Sequence, residues 1–480
     1  MNVLHVSAEC YPFIKIGGLA DVVGSLPSEL KRLRNTEVRV MMPKYKAIPT
    51  KYKKNMKHLT NFNIELNEKE KVYVGIDTLK LGNILYYFVD NNYSFGSRDQ
   101  VYNYGDESER FSFFQKAVLE SLEYIDFLPD IIHVHDWHTA MIPLLIKTKY
   151  KNLSHIKSVL SIHNLAYQGI FPVNDYLYFN MEYDPRFEFE GFLNFLKSGI
   201  VCADYITTVS KTYAEEILTD YFGYGLQKLL KSRKESLQGI LNGVSYKDFN
   251  PMTDTFIAKN YDVDTVKKGK RENKLKLYEE LNVDFKLDKP LISIISRLVS
   301  QKGIDLIKRV FDEMLEVDDF CFVLLGDGES EYVDYFKNLE QRFPSKVKCF
   351  IGYSNPLAHL IYSSSDFFLM PSKFEPCGLG QIIALKYGTI PIVRETGGLV
   401  DTVIPYNQYN NTGNGFSFTH FNAHDMMHVI RYALEIYHKD KKAMNILIQH
   451  AMASDFSWTQ SAKAYRSVYK SILKIKEEVK

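Results

Sequence analysis

Short β-branched and aromatic runs alternate along this chain with stretches whose apolar residues recur every three to four positions, the pattern of parallel strands joined by helical crossovers. In the first half Val3–Val6, Val38–Met42, Ile131–Val134, Val159–Ile162 and Tyr205–Val209 read as strands. Val72–Leu81 and Ile84–Asp90, on either side of Gly82-Asn83, predict a hairpin that interrupts them as an antiparallel excursion. The alternation resumes with Leu291–Ile295, Phe320–Leu325, Val347–Ile351, Phe367–Met370 and Pro391–Val393. Between the two series, GILNGVSYKDFNPMTD at 239–254 carries Asn-Gly and Asn-Pro and reads as a linker. The expected fold class is α/β with two doubly wound domains, residues 1–242 and 243–457, and ligands in a cleft outside the carboxyl ends of the strands. From Trp458 to Ile475, Ala462, Tyr465, Val468, Tyr469 and Ile472 recur at helical spacing, so 458–480 is expected to be a closing helix that crosses back to the first domain.

Composition narrows the classes. At 480 residues the chain exceeds one ordinary core, and 45% hydrophobic with 24% charged residues is globular usage. A net charge of +1 offers no global field for nucleic acid or an anionic membrane, so any anionic ligand must be met locally. Cys10, Cys202, Cys321, Cys349 and Cys377 are scattered without paired spacing, which argues against a disulfide framework and a thiolate metal site. Met1 leads directly into the first strand with no basic segment or cleavage site, and no apolar stretch nears membrane-spanning length, so a cytoplasmic protein is expected. The 33 Tyr and 31 Phe fit either a compositional bias or a need for sugar-stacking rings.

Four segments carry candidate chemistry. In KIGGLADVVGSLPSEL, Lys15 and Gly17-Gly18 precede a helix whose apolar face is Leu19, Val22, Val23, Leu26 and Leu30. Free backbone N–H groups at that helix start would bind an anion such as a diphosphate, with Lys15 adding charge; the same glycines would also suit a close helix–strand approach. In SRLVSQKGIDLI, Arg297 and Lys302 follow a strand, where a guanidinium fork and an ammonium either meet phosphate oxygens or face solvent. His133 and His135 of HVHDWHTA alternate and so face one side of a strand; they read as core or supporting groups, with a metal site as the alternative. Asp136 and His163-Asn164 stand at strand ends where a ligand rich in hydroxyls would lie.

The fourth segment, MPSKFEPCGLGQ, sets Glu375, Cys377 and Gly378 in the loop between the strand Phe367–Met370 and a helix expected over Leu379–Tyr387. Glu375 would hold sugar hydroxyls, steady positive charge at a reacting carbon, or cap the helix. Cys377 is not read as a nucleophile, since no histidine follows at close range. There is also an internal echo: Gly17-Gly18-Leu19-Ala20-Asp21-Val22-Val23 resembles Gly397-Gly398-Leu399-Val400-Asp401-Thr402-Val403, both where a strand and loop give way to a helix.

Taken in order, KIGGLADV, HVHDWHTA, SIHNLAYQG, TTVSKTYAEEI, GILNGV, ISRLVSQKG, PSKFEPCGLGQ and RETGGLVDTV resemble the bacterial glycogen synthase and plant starch synthase family over essentially the full chain. The resemblance implies the GT-B fold, two Rossmann-like domains with the glucan acceptor mainly on the first and the nucleotide mainly on the second. It implies glucosyl transfer from ADP-glucose to glycogen or another α-1,4-glucan with retention at C1, without metal or cofactor. By the same resemblance Lys15 and Gly18 lie at the donor phosphates with Asp21 nearby, Arg297 and Lys302 at the diphosphate, and Tyr353 against the nucleobase. Asp136, His163 and Asn164 line the glucose and acceptor side, and Glu375 binds glucose hydroxyls with Cys377, Gly378 and Leu379 beside it. Catalysis is expected from Glu375, His163, Lys302, Arg297 and Lys15.

Two positions depart from wider relatives. Ile383, eight residues after Glu375, stands where many retaining GT-B enzymes bind the ribose with a second glutamate, an absence the synthase family shares. Gly380 stands where several relatives have threonine or a larger residue. A UDP-glucose donor, a GT-B-like nucleotide-sugar epimerase and a non-catalytic glucan-binding protein are the competing readings.

Overall fold

Each β-branched run named above is a strand in the computed structural model, which describes residues 1–67 and 70–474. The chain divides into two units, Met1–Gly243 joined by the segment from Trp458 onward, and Val244–Ser457. In the first, β1 (Asn2–Val6), β2 (Glu37–Pro43), β3 (Lys57–Asn67), β4 (Glu70–Leu81), β5 (Ile84–Asp90), β6 (Ile131–His135), β7 (Lys157–Ile162), β8 (Tyr205–Thr208) and β9 (Leu237–Gly239) form one sheet. Its order is β9-β8-β7-β6-β1-β2-β5-β4-β3, parallel from β9 through β5 and antiparallel beyond. A small antiparallel sheet of 170–172, 188–189 and 192–194 accompanies it.

Helices cover the parallel strands, which is why β6 is buried at all five positions and reads as a continuous apolar run broken only by histidine. Helix α1 (Gly18–Arg32) buries the expected stripe of Leu19, Val22, Val23, Leu26 and Leu30. The sheet's order reverses at β1 and β6, and the loops carrying Lys15 and Asp136 leave the carboxyl ends of those two strands.

The second unit repeats the plan with β10 (Leu291–Ile295), β11 (Cys321–Gly326), β12 (Val347–Ile351), β13 (Phe367–Met370), β14 (Ile390–Arg394) and β15 (Phe416–Phe418), all parallel in the order β12-β11-β10-β13-β14-β15. Here the reversal falls at β10 and β13, the strands that precede Arg297 and Glu375. Helix α2 (Ile304–Val317) buries Ile304, Leu306, Ile307, Val310, Phe311, Met314 and Leu315 against this sheet's core.

Several expectations change. The hairpin is in register from Leu81 with Ile84, but it does not stand apart from the parallel sheet: β5 pairs parallel with β2, and β3 adds an outer strand whose polar alternation hid it. The stretch at 239–254 is not a free linker, because Val244 N donates to Phe456 O at 2.9 Å and the buried Asp254 accepts from His359 at 2.7 Å. The helix expected over Leu379–Tyr387 is shorter, Gly380–Lys386 (α3). Helix α4 (Trp458–Ile472) belongs to the first unit, where Tyr469 Oη meets His133 Nδ1 at 2.6 Å and Ser461 donates to Leu241 O at 2.6 Å; it ends before the expected Ile475, in a turn at Leu473 and Lys474 where Lys474 has φ +55, and 475–480 lie outside the described residues. Among the described residues no helix is long and apolar enough to cross a membrane.

Candidate functional site

In the first unit the loop after β1 is organised by a residue the sequence did not single out. Glu9, 4% exposed, accepts from the N–H groups of Ile16 at 2.7 Å and Gly17 at 3.0 Å through Oε2, and from Tyr102 Oη at 2.7 Å through Oε1. This corrects the expectation that the N–H groups before α1 are free: two of them are satisfied by a carboxylate from the same loop, which fixes the loop's path. What the loop presents is the half-exposed Lys15 ammonium, paired with Asp21 at 2.8 Å, and the uncovered backbone of Gly17-Gly18.

Asp136, at the carboxyl end of β6, has φ +53, and its Oδ1 accepts from His163 N at 2.7 Å. It therefore ties the end of β6 to the end of β7 and sets where His163 begins. Burial pushes its carboxyl up to about 7, against the lowering effect of the His163 and Asn164 N–H groups. Asn164 Oδ1 accepts from Ala166 N at 3.1 Å, an Asx turn that carries the chain away from the strand.

His133 and His135 are fully buried with ring centroids 4.3 Å apart, and His5, opposite His133 in the β1–β6 register, joins them. Their ring nitrogens come within 4.8 Å of one another, a spacing a metal ion could use. All of these nitrogens except His5 Nε2 have hydrogen-bond partners: His133 with Tyr469 and with Ser161 at 2.7 Å, His135 with His5 and with His163, each at 3.0 Å.

In the second unit two loops are laced together. Gly303, φ +72, sits so close to the loop after β13 that a Cβ there would lie 2.0 Å from Pro371 O. Lys373 N donates to Gln301 O at 2.8 Å, and Gln301 Nε2 to Phe374 O at 3.2 Å. The lacing brings Lys302 Nζ to 2.6 Å from Glu375 Oε2, which also accepts from Ser372 Oγ at 3.0 Å. Glu375 is 7% exposed and does not cap α3, whose N-cap is Leu379. Arg394 braces the same loop from β14, donating to Lys373 O at 2.6 Å. Gln381 holds the carbonyls of Cys377 and Gly378, each at 3.0 Å. Arg297 is exposed and its guanidinium has no partner among the described residues, while Tyr353 is 74% exposed with its hydroxyl 3.2 Å from Asn355 Oδ1. Gly380 has the Phe368 ring beneath it, 2.8 Å from where a Cβ would stand, which accounts for the missing side chain there.

The two Gly-Gly turns share a sequence and differ in cause. A Cβ on Gly17 or Gly18 would meet nothing within 4 Å, whereas on Gly397 it would lie 2.1 Å from Glu375 O and on Gly398 2.2 Å from Cys377 O. The later pair lets one backbone seat against another and so supports Glu375; the earlier pair leaves open surface. Gly398→Ala is therefore expected to destabilise by about 1–3 kcal/mol or more, and Gly18→Ala by less than about 0.5 kcal/mol, in thermal melts. Equal melts for the two variants would overturn this distinction.

Residues 2–232 match the starch synthase catalytic domain, and 280–449 match glycosyl transferases group 1. The chain is 48% identical to a glycogen synthase of Bacillus cereus (strain Q1) over 98% of its length and 100% of that protein. It is 46% identical to the glycogen synthase of Bacillus subtilis (strain 168) over 100% of both. The solved catalytic domain of starch synthase IV from Arabidopsis thaliana, bound to ADP and acarbose, matches with a TM-score of 0.89 at 32% identity, covering 98% of this chain and 99% of that one. A sucrose-phosphate synthase from Thermosynechococcus elongatus, at 15% identity and a TM-score of 0.60 over 99% of this chain and 100% of that one, shares the fold.

Proposed function

The chain belongs to the family of bacterial glycogen synthases and plant starch synthases, and from that membership we propose that it transfers glucose from ADP-glucose to the non-reducing 4-hydroxyl of an α-1,4-glucan, with retention at C1 and release of ADP. It is a glycosyltransferase of the GT-B fold. Breaking the bond from C1 to the diphosphate leaves negative charge on the leaving group and positive charge on the sugar. Arg297 and Lys302 neutralise the first, with Lys15 and the Gly18 backbone as further phosphate contacts and Asp21 orienting Lys15. Fixed charge placed before the reaction is the largest catalytic contribution such a site can make.

Glu375 serves the sugar. Lys302 and Ser372 occupy its Oε2, and its Oε1, without a partner among the described residues, is left to accept from glucose hydroxyls. Cys377, Gly378 and Leu379 line that loop, Tyr353 lies against the adenine, and His163, Asn164 and Asp136 serve the glucose and acceptor side. The departing phosphate takes the proton of the attacking 4-hydroxyl, so no side chain is needed as base, and no metal or other cofactor enters. A nucleotide sugar and a storage glucan as substrates make the cytoplasm the proposed compartment.

The observation that supports this reading most is the Lys302–Glu375 pair at 2.6 Å, a cation for the leaving group beside an acceptor for the sugar, on loops from adjacent strands at the sheet's reversal. The test is incorporation of labelled glucose into glycogen from ADP-glucose and from UDP-glucose, with and without EDTA. Chelator-resistant incorporation from ADP-glucose is expected. Incorporation from UDP-glucose alone would overturn the donor, sensitivity to EDTA would overturn metal independence, and none from either donor would overturn the reaction.

A further inference from the structure

Three imidazoles form a line through the first unit, from β1 to the loop after β7. His5 Nδ1 stands 3.0 Å from His135 Nε2, and His135 Nδ1 stands 3.0 Å from His163 Nε2. His5 and His135 are fully buried, and His163 is the outer, partly exposed member. His133 is stacked on His135 and pinned by Tyr469 and Ser161, so the rings are held edge to edge. Among the described residues no carboxylate hydrogen-bonds to any of the four rings; Asp136 meets only the backbone N–H of His163.

A neutral imidazole carries one N–H and one lone pair, so a line of three can be connected in only two ways. In one, every N–H points outward: His5 Nδ1–H donates to His135, His135 Nδ1–H donates to His163, and His163 keeps its proton on the outer nitrogen, Nδ1. In the other every N–H points inward, and the line ends at His5 Nε2. That atom is buried with no hydrogen-bond partner among the described residues. The inward line leaves a buried N–H without an acceptor, whereas the outward line leaves only a lone pair without a donor. Orphaned buried N–H groups are the rarer and costlier of the two. Burial keeps the line neutral, pushing His5 and His163 down to about 3 and His135 well below its ordinary value.

We infer that His5 and His135 are positioning residues that fix the tautomer of His163, so that His163 presents Nδ1–H as a neutral donor to an oxygen of its ligand. That the ligand is the transferred or accepting sugar rests on the function proposed above; the tautomer itself does not. The consequence is selectivity for an oxygen acceptor at that point, set by a residue two rings away. The logic is that of a histidine whose useful nitrogen is chosen by the bond its other nitrogen makes.

Imidazole nitrogen NMR of the ligand-free protein, labelled at histidine, tests the tautomer without any assay of activity. A protonated Nδ1 and bare Nε2 on His163 are expected; a protonated Nε2 overturns the inference. Stoichiometric zinc binding that shifts the His5, His133 and His135 resonances also overturns it, since the line would then be a metal site. His5→Phe should release the direction, giving a mixed His163 tautomer and a kcat lower on the order of ten- to a hundredfold with KM little changed. His5→Asn, which keeps an amide N–H where Nδ1 stands, should recover most of the rate. Equal rates for the two variants, with the wild-type tautomer kept in both, would overturn the role of His5. Should the transfer assay fail with all donors while the nitrogen spectrum shows Nδ1–H, the proposed reaction falls and the histidine line stands.

Discussion

Glu375→Gln is expected to lower kcat by about a hundredfold or more while the KM for the nucleotide sugar changes by less than about threefold. The amide fills the same space, but it cannot accept from two donors on Oε2 while offering a charged Oε1 to the sugar, and the charge facing the developing positive centre is gone. Removing the carboxylate also leaves Lys302, whose side chain is 18% exposed, without its counter-ion, so a stability loss of about 1–3 kcal/mol should accompany the loss of rate. The two effects separate in the double variant. Lys302→Met with Glu375→Gln replaces an ion pair by neutral groups and so leaves no buried charge unpaired, and part of the stability should return. Activity should not return, because the diphosphate has then lost a cation as well. Initial rates and melts of the two single variants and the double variant decide the matter. Recovery of rate in the double variant would reduce the pair to a structural ion pair.

Acidification from pH 7.5 to 5.5 is expected to destabilise the first unit by about 5 kcal/mol, a fall in melting temperature on the order of 10–20 °C. His5, His133, His135, His138 and His163 are held neutral by burial well below their ordinary value, His5, His138 and His163 at about 3. Once unfolded they take up protons below about pH 6.5. A base whose folded value is lowered stabilises above its unfolded value and loses that contribution as pH falls, so these five act together in the window below about 6.5. Asp136 acts in the opposite direction, since its raised value lets the folded state hold a proton from about 7 downward that the unfolded state does not bind until lower pH. The net is roughly four protons taken up on unfolding at pH 5.5. Calorimetry across this range measures it. A melting temperature that is flat or rising toward pH 5.5 would contradict the burial of these rings as neutral groups.

The sequence was most legible where a structural requirement is local. Ten strand runs and the hairpin turn at Gly82-Asn83 follow from side chains that must suit a pleated, buried surface, and α1 from the spacing of its apolar stripe. Strands with weak or polar signatures, β3, β9 and β15, were not legible, because their place is set by the neighbour they pair with. The site followed the same division. Lys15, Arg297, Lys302 and Glu375 could be found because charge beside glycine at a strand end is unusual in any context. Glu9, Ser372, Gln381 and Arg394 could not, since an acid, a hydroxyl, an amide or a guanidinium announces no backbone or side-chain partner until the loops are folded.

By itself, then, the order of residues determined the two doubly wound sheets, the stripe of each helix and the charged groups at the strand ends, all of which depend on period and residue type along the chain. Tertiary structure alone decided that Gly397-Gly398 exists to seat a backbone while Gly17-Gly18 leaves one open, and that His5 lies opposite His133. Both outcomes depend on what a neighbouring strand or loop brings within about 3 Å of an atom. No sequence interval encodes that distance, which follows from register and close packing between segments far apart in the chain.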